Sequence, residues 1–129
     1  MIRILIVDDS VAIREGLHSL LDGQPDFEVV GAAGDGLEGL SKALELLPDV
    51  VIMDAQMPRM DGVEATKRIK ESSHSVGVLF FSVFIEYIEM GMTAGADDYL
   101  VKDCERQELF SKVRSIAAEY QKQGRLQPL

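Results

Sequence analysis

The chain is expected to fold as an α/β protein: a doubly wound, flavodoxin-like sheet of five parallel strands in the order 2-1-3-4-5. Three observations predict this. Short, continuous apolar runs such as Ile4-Leu5-Ile6-Val7, Val50-Val51-Ile52-Met53 and Val78-Leu79-Phe80-Phe81 recur along the chain, as suits strands covered on both faces. Each run is followed by a stretch with helical spacing, and right-handed crossovers between such units favour that strand order. Finally, the runs end in chemically complementary side chains, namely Asp8 and Asp9, Asp54, Ser82 and Lys102. They would meet at the C-terminal edge of the sheet, where open α/β proteins place ligands.

Taken in order, residues 4–7 form the first strand and Asp8-Asp9-Ser10 ends it. Residues 11–21 carry Ile13, Leu17, Leu20 and Leu21 at helical spacing, and Gly23 and Pro25 stop that helix. Residues 27–33 form the second strand. Asp35 is placed to cap a helix over residues 36–47, whose inward face would be Leu37, Leu40, Ala43, Leu44 and Leu47; Pro48 closes it. The third strand, residues 50–54, ends on Asp54, and Met57-Pro58 and Asp61-Gly62 mark the loop beyond. A helix near residues 63–70 has Val63, Thr66 and Ile69 along one side. The fourth strand, residues 78–81, runs into Ser82.

A helix over residues 86–94 carries Gly91 in its middle, which costs about 1 kcal/mol against alanine and predicts a short or irregular element. Ile85, Ile88 and Met92 share a face assigned to the core, while Tyr87 and Met90 are open between core and an exposed patch for docking or dimerisation. Residues 98–101 form a short fifth strand ending at Lys102. The last helix covers residues 105–120, with Leu109, Val113, Ile116 and Ala117 inward. Residues 1–120 thus make one domain. Residues 121–129, mostly polar, read as a frayed tail or the start of a linker to an output domain.

The 129 residues, 47% hydrophobic and 27% charged, suit one globular domain. With 22 acidic against 13 basic residues the formal charge is -9, so phosphate backbones and anionic membranes repel the chain, and direct nucleic-acid contact is not expected. No apolar run approaches the ~18 residues of a membrane span. Met1-Ile2-Arg3 enters a strand without a signal-peptide layout, and Cys104 is alone, so a cytoplasmic location is expected. Gly34-Asp35-Gly36-Leu37-Glu38-Gly39 matches GxGxxG. It follows the second strand, however, and carries two acids where a pyrophosphate would lie, so it reads as a helix-start turn. His18 and His74 read as surface residues, and Lys67, Arg68 and Lys70 as a solvated helix face.

Three carboxylates meeting at one edge raise one another's pKa unless a cation intervenes. Magnesium suits them: a hard ion that takes carboxylate and phosphate oxygens and keeps its waters. Lys102 offers a point charge for a phosphoryl oxygen, Ser82 a hydroxyl donor, and Asp54 a carboxylate nucleophile able to form an aspartyl phosphate.

With these residues in place the chain resembles a bacterial two-component response-regulator receiver domain along nearly its whole length. The resemblance rests on Ile4-Leu5-Ile6-Val7-Asp8-Asp9, on Asp54 through Met57-Pro58 and Asp61-Gly62, on Ser82, and on Gly95-Ala96-Asp97-Asp98-Tyr99-Leu100-Val101-Lys102. It implies that Asp54 accepts a phosphoryl group from a phosphohistidine on a sensor histidine kinase. Asp9, Asp8 (partly through water), Asp54 and the backbone carbonyl of Gln56 would hold Mg2+. Ser82 and Lys102 would contact the phosphoryl group, with Ser82 and Tyr99 as the switch pair. It further implies a face built from the fourth helix, fifth strand and fifth helix that changes on phosphorylation, allows a homodimer and controls an output, transcription in the first instance. Two positions depart from the common pattern. Val83 stands where a small residue usually leaves room for the aromatic ring to turn inward. Asp103 stands where proline often follows the lysine, which resembles the subfamily with a helix-turn-helix output (LuxR/NarL-like).

Two other function classes compete: a magnesium-dependent phosphatase or phosphotransferase for small substrates, and a phosphorylation-independent, receiver-like interaction module. Turnover of a small phosphate ester marks the first; failure of any phosphodonor to load Asp54 marks the second.

Overall fold

A strand buried on both faces must be apolar, and that condition selects the three central strands of the computed structural model, which describes residues 1–126. The elements are β1 (Ile2–Val7), α1 (Val11–Asp22), β2 (Phe27–Ala33), α2 (Gly36–Leu46), β3 (Val50–Asp54), α3 (Gly62–Ser72), β4 (Gly77–Ser82), α4 (Glu86–Thr93), β5 (Asp98–Val101) and α5 (Arg106–Leu126). All strands pair in parallel, in the expected order β2-β1-β3-β4-β5. The sheet's alternation divides the core in two. Ile4, Ile6, Ile52, Leu79 and Phe81 face α1 and α5, where Leu17, Leu21, Leu109, Phe110 and Val113 cover them. Leu5, Val7, Val51, Met53 and Phe80 face α2, α3 and α4, meeting Ala43, Ala65 and Ile69. No described helix is long and apolar enough to cross a membrane.

Several boundaries move outward because pairing continues past the apolar run. Ile2 and Arg3 pair with Phe27 and Glu28, and Gly77 pairs with Val50. The fifth helix runs to Leu126, past the expected end at residue 120; residues 127–129 lie outside the described residues.

Two helices present a different face from the one their leucines and isoleucines suggest. In α2 the buried positions are Gly36, Gly39 and Ala43, while Leu37, Leu44 and Leu47 are exposed. A side chain at Gly39 would meet Val7 at 2.7 Å, so the glycine lets the helix lie directly on β1. Gly36 and Gly39 of the GxGxxG match thus serve packing. In α4 the inward face is Ile88 and Gly91, with Tyr87 half-buried. Ile85 (74% exposed) and Met92 (38%) are not core, which corrects the sequence expectation, and Met90 is also exposed. The cause is again a glycine: Gly91 rests on the Phe80 ring, turning the helix so that Ile85 and Met92 lie to one side. A Cβ there would come within 2.7 Å of that ring. Gly91→Ala is therefore expected to destabilise the domain by about 1–3 kcal/mol despite alanine's better helix propensity; urea denaturation measures it, and a gain in stability would refute the packing account.

Lys70 is likewise not solvated. Its ammonium donates to the Val76 carbonyl at 2.8 Å, to Asp97 Oδ2 at 2.6 Å and to the Tyr120 hydroxyl. Tyr120 in turn donates to Asp97, whose Oδ2 accepts the Val78 amide at 2.8 Å. The cluster ties α3, β4 and α5 together at the sheet edge opposite the site. Lys67, Arg68, His18 and His74 are exposed, as expected.

Candidate active site

Register alone brings the strand ends together. Val7 lies opposite Met53, so Asp8 and Asp9 come level with Asp54. Asp54 lies opposite Phe81, putting Ser82 one residue beyond, and Ser82 lies opposite Val101, putting Lys102 one residue beyond that. The result is a cleft of about 280 Å³ lined by Asp9, Asp54, Gln56, Ser82, Phe84 and Lys102.

Asp54 (7% exposed) and Asp8 (1%) are buried, Ser82 is fully buried, and Asp9 is exposed. Lys102 Nζ lies 2.7 Å from Asp8 Oδ2 and 3.0 Å from Asp54 Oδ1. The Ala55 amide donates to Asp54 Oδ1 at 2.9 Å. Burial pushes the Asp54 carboxyl up to about 6; Lys102 opposes this and the charges of Asp8 and Asp9 add to it. Burial lowers Lys102, but its bonds to Asp8 and Asp54 outweigh that and hold it above the ordinary lysine range.

Carboxylate oxygens of Asp8, Asp9 and Asp54 lie within 4.8 Å of one another. Asp8 Oδ2 is buried, and the Lys102 ammonium is its charged neighbour. An all-oxygen set of three carboxylates, two buried and the third open to solvent at Asp9, fits a hard divalent cation that keeps part of its water shell.

The surroundings are fixed from below. Asp8 Oδ1 accepts the Ser10 amide at 3.0 Å, and Ser10 caps α1. On the other side, Asp61 caps α3, and the Gly62 amide donates to the Ala55 carbonyl at 2.8 Å, bending the loop back under Asp54. Gln56 is exposed, two residues past Asp54. The Ser82 hydroxyl is engaged locally, accepting the Phe84 amide at 3.0 Å. Tyr99 is 41% exposed on β5, with Lys112 Nζ 5.0 Å above its ring, so the ring lies outward.

Every sequence-predicted site residue except Tyr99 therefore reaches or borders the cleft. Two contributors were not anticipated. Arg14, one turn into α1, donates from Nη1 to the Asp8 carbonyl at 2.7 Å and so holds the acidic pair's backbone. Tyr87 accepts from Gln56 Nε2 at 2.5 Å. Neither sits at a strand end; for Arg14 the available signal was a basic side chain one turn beyond an acidic strand end.

The family model of the response regulator receiver domain matches residues 4–114. The chain belongs to that family: it is the receiver domain of a two-component response regulator, a signalling domain rather than a classical enzyme. It is 41% identical over 119 residues to the transcriptional regulatory protein LiaR of Bacillus subtilis, covering 91% of this chain and 56% of LiaR. The chain thus spans little more than half the length of the curated relatives it matches. Among solved structures it is similar to the response regulator domain of Thermotoga maritima CheB, with a TM-score of 0.85, 37% identity, and 92% of this chain and 97% of that one covered. It is also similar to a chain of the CheX-CheY-BeF3-Mg2+ complex from Borrelia burgdorferi, with a TM-score of 0.81, 28% identity, and 88% and 87% covered.

Proposed function

We propose that Asp54 takes a phosphoryl group from a phosphohistidine of a sensor histidine kinase, and that the aspartyl phosphate alters the α4-β5-α5 face to control an output, transcription in the first instance. The observation that carries this is the buried Asp54 carboxylate at one edge with two further carboxylates and the Lys102 ammonium. An Asp54 oxygen attacks phosphorus as the P–N bond of the donor breaks, and the histidine leaves with the bond's electron pair. Lys102 exchanges a carboxylate partner for a phosphoryl oxygen, and the Ser82 hydroxyl turns from Phe84 to donate to another. Asp8, Asp9, Asp54 and the Gln56 carbonyl would hold Mg2+, which supplies charge neutralisation at the phosphoryl oxygens. The CheX-CheY-BeF3-Mg2+ complex from Borrelia burgdorferi lends support to this pairing of a metal with a phosphoryl-like group.

Departure of the Ser82 hydroxyl from Phe84 frees the start of α4, and this is the path by which the site reaches α4, β5 and α5. Tyr99 lies outward beside it, and Val83 limits how far the ring turns in. A homodimer through that face is the expected form of the loaded protein.

Intact mass after incubation with acetyl phosphate tests the acceptor. A single phosphoryl adduct is expected on the wild type with magnesium, and none without magnesium or on Asp54→Asn. No adduct on the wild type, with magnesium binding shown by titration, would replace this reading with that of a phosphorylation-independent interaction module.

A further inference from the structure

The side chain of Gln56 lines the Asp54 cleft, and among the described residues one side-chain hydrogen bond holds it: its Nε2 donates to the Tyr87 hydroxyl at 2.5 Å. The two partners are unequally anchored. Tyr87 is half-buried, packed against the core on the α3/α4 side of the sheet. Its ring meets Phe84 edge-on, at 6.0 Å between centroids and 70° between planes. Gln56 is exposed on the loop after β3. A free glutamine at such a position samples many rotamers; here the phenol selects one. Gln56, Val83 and Phe84 all line the cleft, and the bond ties the loop after Asp54 to the first turn of α4, just beyond the segment that carries Ser82. The start of α4 supplies a second observation. Its cap position, Ile85, offers no side-chain hydrogen bond, so the Tyr87 hydroxyl provides a side-chain tie to this helix's first turn.

We propose that Tyr87 is a positioning residue: its hydroxyl holds the Gln56 carboxamide as a strap across the cleft, and the strap limits how fast water reaches an aspartyl phosphate on Asp54. This rests on the acceptor reading given above. The step it governs is hydrolysis. A water oxygen bonds to phosphorus, the bond between phosphorus and the Asp54 oxygen breaks, the carboxylate is regenerated, and both of the water's protons leave with inorganic phosphate. Attack is confined to the fraction of time the strap is open, so removing its one hydrogen bond raises that fraction and the rate together.

The test uses the whole chain loaded with acetyl phosphate and Mg2+, cleared of donor, with adduct decay followed by intact mass. Tyr87→Phe keeps the ring and removes the acceptor; Gln56→Ala removes the other partner at an exposed position and leaves the backbone carbonyl in place. Each is expected to shorten the adduct's lifetime on the order of five-fold, the factor one neutral hydrogen bond represents. The double variant is expected to decay no faster than either single one, because both remove the same strap. The strap has a readout free of phosphate and metal: the Gln56 side-chain amide protons, followed by NMR, exchange faster in Tyr87→Phe. Unchanged or slower decay in Tyr87→Phe, multiplying effects in the double variant, or identical amide exchange would overturn the strap while the acceptor reading stands. A wild type that takes up no phosphoryl group overturns the acceptor reading, and this proposal with it.

Discussion

Replacing Asp54 with asparagine will stabilise the metal-free domain at pH 7 by about 1–3 kcal/mol, raising Tm by roughly 3–10 °C, while it abolishes the phosphoryl adduct. A carboxyl held near 6 rather than 3.8 is ionised at pH 7 at a penalty to the fold of about 3 kcal/mol. The lower end of the range allows for Lys102, which keeps Asp8 but loses one of its two charged partners. Asparagine preserves the oxygen that accepts the Ala55 amide and turns an NH2 toward the remaining carboxylates. The pH dependence follows from the direction of the shift. A carboxyl raised by folding binds its proton more tightly in the folded than in the unfolded chain. The penalty is therefore full above about 6, shrinks as pH falls through that value, and is gone below 3.8. Melting curves of both proteins in chelator from pH 7 to pH 4 should converge at the acid end. Parallel curves would mean that Asp54 carries no such penalty. The physical content is a trade: the Asp54 carboxylate is kept in a place that disfavours its charge, and a bound cation relieves it.

Gly62→Ala will cost about 3–5 kcal/mol, enough to unfold a marginal domain. A Cβ at Gly62 would lie 1.8 Å from the Asp54 carbonyl oxygen and 2.8 Å from the carbonyl carbon. These are backbone atoms of Asp54 itself, held by the sheet on one side and by the Gly62–Ala55 hydrogen bond on the other. Neither can yield without moving the site. Alanine's better helix propensity returns about 1 kcal/mol at most. Urea denaturation gives the loss directly, and any folded fraction should load slowly from acetyl phosphate because Asp54 has been displaced. A variant within 1 kcal/mol of the wild type would show that the loop under Asp54 is not tightly held.

The strands and the site were legible in the sequence because both depend on short-range patterns. A strand covered on both faces is apolar at every position, so β1, β3 and β4 announce themselves as Ile4–Val7, Val50–Met53 and Val78–Phe81. Once the order 2-1-3-4-5 is inferred, the residue after each run must fall at the same edge. Asp8, Asp9, Asp54, Ser82 and Lys102 thus come together with no knowledge of side-chain angles. Asp35 as the cap of α2 was equally local.

Helix faces were another matter. Periodicity counts bulky side chains, whereas α2 and α4 dock through the absence of one, at Gly39 on Val7 and at Gly91 on Phe80. Close approach of backbone to sheet turned Leu37, Leu44, Ile85 and Met92 outward. The sequence by itself therefore determined the topology, the cleft and its charges, since these follow from residue type and order along strands. Only the tertiary structure decided which helix faces are buried, that Lys70 joins Asp97 and Tyr120, that Arg14 donates to the Asp8 carbonyl and that Gln56 donates to Tyr87. Those contacts join residues 6 to 50 positions apart, and their geometry is set by how closely two packed surfaces approach, which no local pattern encodes.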